Sequence, residues 1–234
     1  MIPLRDENPA SLTPVVTRVL IAINLAVFLY QLSLGPQLRE FLFTWGMVPE
    51  RITLALQNHD ESLLTAVLPA FTSMFLHGGW MHLIGNMWYL AIFGDNVEDR
   101  LGHFGYLLFY LASGLAAAAV HWYTNSDSRV PTVGASGAIA GVLGAYAAAY
   151  PGARVITLVP LFPIFVQVIA LPALVVLGLW FVLQFFSGFL TLGAAGAGIA
   201  FWAHVGGFAF GFLVMKLFGA APRPREPSGA WVER

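Results

Sequence analysis

Long apolar stretches separated by short polar segments constrain this sequence more than any other feature. A helix needs about 20 apolar residues to cross the ~30 Å hydrocarbon core of a bilayer. Six stretches approach that requirement: 15–34, 80–93, 103–123, 133–150, 164–186 and 199–218. Only 10% of the 234 residues are charged, whereas 58% are hydrophobic. So little charge cannot cover a water-soluble protein of this size, and lipid must therefore be the solvent for much of the chain.

Charge and cysteine content exclude several classes of function. The net charge is −1 and the pI is near 6.6, so the chain lacks the basic field of a nucleic-acid-binding protein. There are no cysteines, which excludes disulfides, thiolate metal sites and a cysteine nucleophile. We therefore expect the lipid bilayer, and no nucleic acid, as a partner.

The apolar stretches divide the chain into three parts. Residues 1–14 are polar and predict a short N-terminal segment, and residues 219–234 predict a flexible tail. Residues 15–218 predict one all-α domain of six membrane spans. Residues 35–79 form its longest connection, and their mixture of apolar and charged residues predicts a long interfacial first loop.

Two local features refine this prediction. The acidic run at residues 95–100 predicts a solvated loop that caps the third span. Pro172 lies within the fifth stretch, where it predicts a kink in a helix.

The placement of Lys and Arg predicts the orientation of the spans. Cytoplasmic loops carry an excess of these residues. With six spans, both termini lie on one side of the membrane, and that side collects eight of the 11 Lys and Arg residues. Both termini are therefore predicted to be cytoplasmic, and residues 35–79, 124–132 and 187–198 to face the extracytoplasmic side.

Four polar side chains lie at a similar depth in the predicted bundle. The second, fourth and sixth spans all begin at the extracytoplasmic face, and they carry His82 and Asn86, Ser136, and His204 near their starts. A helix rises about 1.5 Å per residue, so these groups lie roughly 5–10 Å below the helix ends. Polar groups in hydrocarbon need partners, so the cluster predicts a hydrated internal site.

The chemistry of these four residues is complementary. A serine hydroxyl becomes an effective nucleophile when a base takes its proton, and histidine suits that role. Acyl transfer also requires hydrogen-bond donors directed at the developing oxyanion. The Asn86 amide, the His82 ring N–H and the Ser136 backbone N–H are candidates, because His82 and Asn86 share one helix face and Ser136 begins a helix. Ser136 and His204 are therefore the candidate nucleophile and base.

Glycines surround the candidate nucleophile. Gly134 and Gly137 leave room for a substrate backbone beside Ser136. Gly137 and Gly141 form one GxxxG pair, and Gly207 and Gly211 form another, which lets helices approach closely. If the two glycine faces meet, Ser136 and His204 come within hydrogen-bond reach.

Three motifs resemble those of the rhomboid family of intramembrane serine proteases. They are HGGWMHLIGN at residues 77–86, GASGAIAG at 134–141 and AHVGGFAFG at 203–211. They are similar to the family's His-x-x-x-Asn, Gly-x-Ser-Gly and Ala-His-x-x-Gly-x-x-x-Gly motifs, in the same order on alternate spans. The resemblance extends from about residue 15 to 218 and implies a six-transmembrane-helix, rhomboid-like bundle of bacterial type.

The resemblance also implies an activity and roles for individual residues. It implies a serine endopeptidase in which Ser136 is the nucleophile, His204 is the general base, and His82 and Asn86 stabilise the oxyanion. His77 is similar to a supporting histidine of the family. The family uses no metal, no cofactor and no third acidic residue.

The resemblance further implies a setting. Family substrates are transmembrane proteins that enter beside the fifth helix, under a mobile loop that corresponds to residues 187–198. A bare six-helix core implies a multi-pass protein of a prokaryotic plasma (inner) membrane, and it implies no particular oligomeric state.

Two positions depart from the family pattern. Some members carry a tyrosine one turn after the serine, packed on the catalytic imidazole, whereas this chain has Ala140. Another aromatic residue is therefore expected to orient His204. A Trp-Arg pair common before the second helix is replaced by Leu68 and Pro69, so the first loop is expected to be held differently.

Other interpretations of the same residues stay open at this point. Ser136 alone suits helix packing, and His204 alone suits a satisfied buried histidine. A proteolytically inactive rhomboid-like protein that binds membrane proteins is the main alternative function. A zinc enzyme using His77, His82 and His204 lacks a supporting motif, and a transporter would need polar residues in both halves of the membrane.

Overall fold

Helices dominate the architecture. The computed structural model describes residues 1–58, 62–161, 165–190 and 200–219. The elements are β1 (Ile2–Asp6), α1 (Val15–Ser33), α2 (Leu38–Trp45), α3 (Pro49–Asn58), α4 (Leu63–Thr72), α5 (Trp80–Thr124), α6 (Ser136–Ala149), β2 (Arg154–Leu161), β3 (Phe165–Pro172), α7 (Ala173–Leu190) and α8 (Phe201–Phe218).

Four helices of the described chain are long and apolar enough to cross a bilayer, namely α1, α5, α7 and α8. Helix α5 has 45 residues and is broken at Gly102, which has a φ of 71° and a ψ of 163°. A positive φ favours glycine, and the break divides α5 into two halves that contain the predicted second and third spans. A mainly helical membrane protein is therefore confirmed, whereas the count of six crossings stays a prediction.

A three-stranded antiparallel sheet shows that the expectation of an all-α fold was wrong. Strand β2 pairs with β1 on one side and with β3 on the other. The predicted polar N-terminal segment therefore contains a strand, and the predicted fifth span 164–186 begins as strand β3. The run before Pro172 is rich in Val and Ile, whose branched side chains favour strands. Pro172 ends β3 and does not kink a helix, because α7 starts at Ala173.

Polar contacts attach the sheet to the helices. The Asp6 carboxylate accepts a hydrogen bond of 2.6 Å from the Tyr146 hydroxyl of α6 and one of 3.1 Å from the Asn96 amide of α5. The Trp88 indole N–H donates to the Pro3 carbonyl at 2.7 Å. Burial raises the pKa of the Asp6 carboxyl to about 6. Strand β1 is therefore fixed against both α5 and α6.

The acidic run at residues 95–100 lies inside α5, so the prediction of a solvated loop was wrong. Glu98 is completely buried and accepts hydrogen bonds of 2.8 Å from the backbone N–H groups of Val16 and Thr17. It also contacts the Thr17 hydroxyl at 2.7 Å and His103 Nδ1 at 2.6 Å. A carboxylate at this position satisfies the free N–H groups at the start of α1 and suits the helix dipole.

The long first connection contains the three short helices α2, α3 and α4. Its interfacial position stays a prediction. A pair of backbone hydrogen bonds links Met47, between α2 and α3, to Thr132, just before α6. The Gly134 N–H also donates to the Ser73 carbonyl at 2.9 Å. The connection therefore holds the segment that leads into α6.

Candidate active site

Ser136 is the first residue of α6, the central helix of the bundle. Every residue from Gly137 to Ala148 is buried, and α6 packs against α5 and α8. Helix α6 has 14 residues and is therefore roughly 21 Å long, shorter than the ~30 Å hydrocarbon core. The serine thus begins a helix that is too short to reach both surfaces of a bilayer. The N–H groups of the first turn have no partner within the helix.

His204 lies one turn into α8 and is only 8% exposed. Its Nε2 atom is 2.8 Å from Ser136 Oγ, which is hydrogen-bond distance. The two residues are 68 positions apart in sequence. Because the two residues are so far apart in sequence, the contact results from the packing of α6 against α8 and not from local chain geometry.

Glycines bring α6 and α8 together, as the two GxxxG pairs predicted. A Cβ atom added to Gly207 would lie 2.1 Å from the Gly137 carbonyl oxygen, and one added to Gly211 would lie 1.9 Å from the Gly141 carbonyl oxygen. Neither position can hold a side chain at this helix separation. The close approach of the helices carries Ser136 and His204 into contact.

Two residues of α7 that the sequence analysis did not single out contact the His204 imidazole. The Trp180 ring lies against it, with ring centroids 5.7 Å apart. Gln184 Oε1 lies 2.6 Å from His204 Nδ1. Gln184 and Gln167 are the two glutamines of the apolar stretch 164–186, and a polar residue in a predicted span is a usable signal. Trp180 is an aromatic of the kind expected to compensate for Ala140.

His82 is oriented by its own helix start and faces Ser136 across Gly134. The Gly78 N–H donates to His82 Nδ1 at 3.3 Å, which leaves the ring proton on Nε2. A Cβ atom added to Gly134 would lie 2.7 Å from His82 Nε2 and 3.5 Å from Ser136 Oγ. Gly134 also has a φ of 132°, in the region that favours glycine. Glycine thus leaves open the space between the imidazole and the hydroxyl.

Asn86 lies one turn after His82 on α5 and is 8% exposed. Its amide nitrogen is buried and has no hydrogen-bond partner among the described residues. Buried donors are normally paired, and an unpaired one in a native structure calls for an explanation such as a ligand or a catalytic role. The Asn86 amide therefore has hydrogen-bonding capacity available for a bound group.

His77 is held just before α5 by a side chain of α1. The Gln31 side chain of α1 accepts from the His77 N–H and donates to its carbonyl, each at 3.0 Å. The His77 ring lies 5.2 Å from the His82 ring, measured between centroids. These contacts suit a supporting role, in which His77 fixes the chain before α5 and limits the movement of His82.

Across the described ranges, no three His, Asp or Glu side chains converge in the way that ligands of a metal ion would.

The predicted mobile loop at residues 187–198 falls only partly within the described ranges. Residues 187–190 belong to the end of α7, and residues 191–198 lie outside the described residues, as does the predicted tail from residue 220.

The family model described as the Rhomboid domain matches residues 65–221, which is more than half of the chain. This chain belongs to the rhomboid family. The matched region contains Ser136, His204, His82 and Asn86. The resemblance inferred from three short motifs is therefore confirmed at the level of the family.

Relatives of this rhomboid occur in plants, fungi and bacteria. It is 44% identical to Rhomboid-like protein 11, chloroplastic, of Arabidopsis thaliana over 30% of this chain and 25% of the relative. It is 30% identical to Rhomboid protein 1, mitochondrial, of Saccharomyces cerevisiae over 62% of this chain and 39% of the relative. It is 33% identical to Rhomboid protease GluP of Bacillus subtilis over 56% of this chain and 24% of the relative. The chain thus spans at most about two fifths of the length of these three relatives.

Proposed function

We propose that this rhomboid is an intramembrane serine endopeptidase that cleaves membrane proteins in or near their transmembrane helices. The observation that carries the proposal is the 2.8 Å contact between Ser136 Oγ and His204 Nε2. A nucleophile and a base within hydrogen-bond reach are the arrangement that nucleophilic catalysis requires. The family includes proteases, of which GluP is one by name.

In the proposed acylation step, Ser136 Oγ attacks the scissile carbonyl carbon while His204 Nε2 takes the hydroxyl proton. The carbonyl oxygen becomes an oxyanion, which receives hydrogen bonds from the Asn86 amide, His82 Nε2–H and the Ser136 backbone N–H. The oxyanion then collapses and the C–N bond breaks. The leaving amine takes the proton from His204 Nε2, and the new N-terminus departs.

In the proposed deacylation step, His204 takes a proton from a water molecule as that water attacks the acyl-enzyme ester. Collapse of the second tetrahedral intermediate breaks the bond to Ser136 Oγ, which recovers its proton from His204. The product is a carboxylic acid. Water must therefore reach the start of α6, and the short length of that helix supports entry from that end of the bundle.

The proposal includes an orientation and a domain organisation. Residues 15–218 form the protease domain, residues 1–14 and 219–234 lie in the cytoplasm, and the active site opens to the extracytoplasmic side of a prokaryotic plasma (inner) membrane. The excess of Lys and Arg on the side of the termini supports this orientation. The starts of α5, α6 and α8, which carry His82, Ser136 and His204, then lie together near the extracytoplasmic surface.

Labelling with a serine-directed fluorophosphonate tests the proposed function. The probe should modify the purified parent protein in detergent, because an activated serine attacks phosphorus and forms a stable adduct. Ser136→Ala should remove the labelling completely, whereas Ser11→Ala, at an exposed position before α1, should leave it unchanged. Equal labelling of the parent and Ser136→Ala would contradict the assignment of the nucleophile.

Asn86→Ala should lower the cleavage rate by about 10²–10³-fold, because one donor to the oxyanion is lost. The effect should fall on kcat, since the donor acts mainly on the transition state. Cleavage kinetics of a transmembrane reporter measure it. Gly85→Ala, one residue away with open space around its added methyl group, is the matched control and should stay within about twofold of the parent. A parental kcat in Asn86→Ala would remove Asn86 from the oxyanion site.

A further inference from the structure

The hydrogen-bond chain at the candidate active site does not end at His204. His204 Nε2 faces Ser136 Oγ at 2.8 Å, and Nδ1, the other ring nitrogen, faces Gln184 Oε1 at 2.6 Å. Gln184 lies on α7, whereas Ser136 and His204 lie on α6 and α8. Three helices therefore contribute to one continuous line of polar atoms.

The two contacts determine where the imidazole proton must lie. A neutral imidazole carries one proton, and the nitrogen without it is the acceptor. To take the Ser136 proton, Nε2 must be unprotonated, so Nδ1 must carry the hydrogen. Gln184 Oε1 is a carbonyl oxygen that only accepts, and it therefore pairs with Nδ1–H and not with the other tautomer.

We infer that Gln184 is a positioning residue that holds His204 in the tautomer needed for catalysis. The inference rests on the proposed function. When His204 becomes an imidazolium, Nδ1–H donates a charge-assisted hydrogen bond to Gln184, and such bonds are stronger than neutral ones. An uncharged amide thus does for His204 what a carboxylate does in a three-residue triad.

Trp180 completes the support of the imidazole. It lies one turn before Gln184 on α7, so both side chains project from the same helix face. The indole lies against the imidazole at an interplanar angle of 34° and limits the movement of the ring. The hydrogen bond from Nδ1 to the amide restricts rotation of the ring about its bond to Cβ. Ala140 is too small to provide either contact from α6.

The contact also joins α7 to α8. The buried residues of α7 lie near its ends, namely Ala173, Val176, Leu177 and Gly188, and much of the helix between them is exposed and apolar. Gln184 is in that loosely packed part. A displacement of α7 away from α8 would therefore separate Gln184 from His204.

Two substitutions at Gln184 separate positioning from packing. Gln184→Met keeps the length of the side chain and removes the acceptor, and it should slow fluorophosphonate labelling by about 10- to 100-fold, as expected for a hydrogen bond to a charged group. Gln184→Glu keeps an acceptor oxygen and adds a negative charge that stabilises the imidazolium. The labelling rate of Gln184→Glu should return to the parental rate at high pH. The acidic limb of its pH profile should lie at higher pH than in the parent, because a stabilised imidazolium loses its proton at higher pH. Leu183→Ala, an exposed neighbour on α7, should match the parent.

Nitrogen NMR of histidine-labelled protein tests the inference without using activity. In the parent, His204 should show a protonated Nδ1 and an unprotonated Nε2, and Gln184→Met should shift it toward a mixture of tautomers. An unchanged tautomer together with a parental labelling rate in Gln184→Met would overturn the inference. Absence of labelling in the parent would refute the proposed function instead, and the tautomer measurement would still decide the role of Gln184.

Discussion

Ser136→Ala and His204→Ala should each lower the rate of substrate cleavage by about 10⁴-fold or more. The first removes the attacking oxygen, and the second removes the base that lies 2.8 Å from it. Losses of this size are typical when one member of a nucleophile–base unit is removed. The measurement is cleavage of a transmembrane reporter in proteoliposomes, followed as the appearance of the two fragments.

The double variant sharpens this test. Ser136 and His204 act as one unit, so removing both should cost no more than removing Ser136 alone. Each variant must also keep the thermal unfolding temperature of the parent within a few degrees, because each removes one hydrogen bond between α6 and α8 and leaves the glycine packing between these helices intact. Cleavage by Ser136→Ala or His204→Ala at even one tenth of the parental rate would rule out the proposed chemistry.

The contact between Ser136 and His204 could be predicted from sequence because two independent signals coincided. Polar residues near the starts of alternate spans place the groups at one depth, since helix rise is constant. The GxxxG pairs then indicate which helix faces meet, because close approach requires residues without side chains. Neither signal depends on how the connecting segments fold. The contact between Ser136 and His204 could therefore be predicted even though the predictions for residues 95–100 and 164–172 were wrong.

Those errors have physical causes in particular residues. The run 165–172 is short and apolar apart from Gln167. Hydrophobic periodicity does not show whether such a run forms a strand or part of a helix. Its pairing with β2, and the pairing of β2 with Ile2–Asp6, depend on contacts between distant parts of the chain. The burial of Glu98 could not be predicted for the same reason, since its partners at Val16 and Thr17 are about 80 residues away.

Gln184 shows a different limit of sequence reasoning. The motifs identify groups whose spacing along one helix is informative, such as His82 and Asn86. The relation of Gln184 to His204 depends on how α7 rotates and packs against α8, and no spacing encodes that. A polar residue in an apolar span marks a position of interest, but only the folded structure identifies its partner.

Substitutions at the glycine contact between α6 and α8 should also lower the cleavage rate by a large factor. A variant with both Gly207→Val and Gly211→Val should show no measurable cleavage and a lower unfolding temperature. Their Cβ atoms would lie 2.1 Å and 1.9 Å from backbone oxygens of α6, so the helices must separate by on the order of 1 Å before any γ-methyl is placed. That movement lengthens the distance from Ser136 Oγ to His204 Nε2, and a misplacement of about 1 Å can cost about 10²-fold in rate even for a single substitution.

Single alanine substitutions show whether helix separation is the cause. Gly211→Ala touches neither Ser136 nor His204, yet it should slow both cleavage and fluorophosphonate labelling by about 10²-fold, because the His204 imidazole moves with α8. Gly178→Ala is the matched control: it places the same methyl group into open space on α7, and it should preserve activity and slightly favour the helix. If Gly211→Ala keeps parental activity while Gly178→Ala loses it, then close packing of α6 on α8 is not what aligns the hydroxyl with the imidazole.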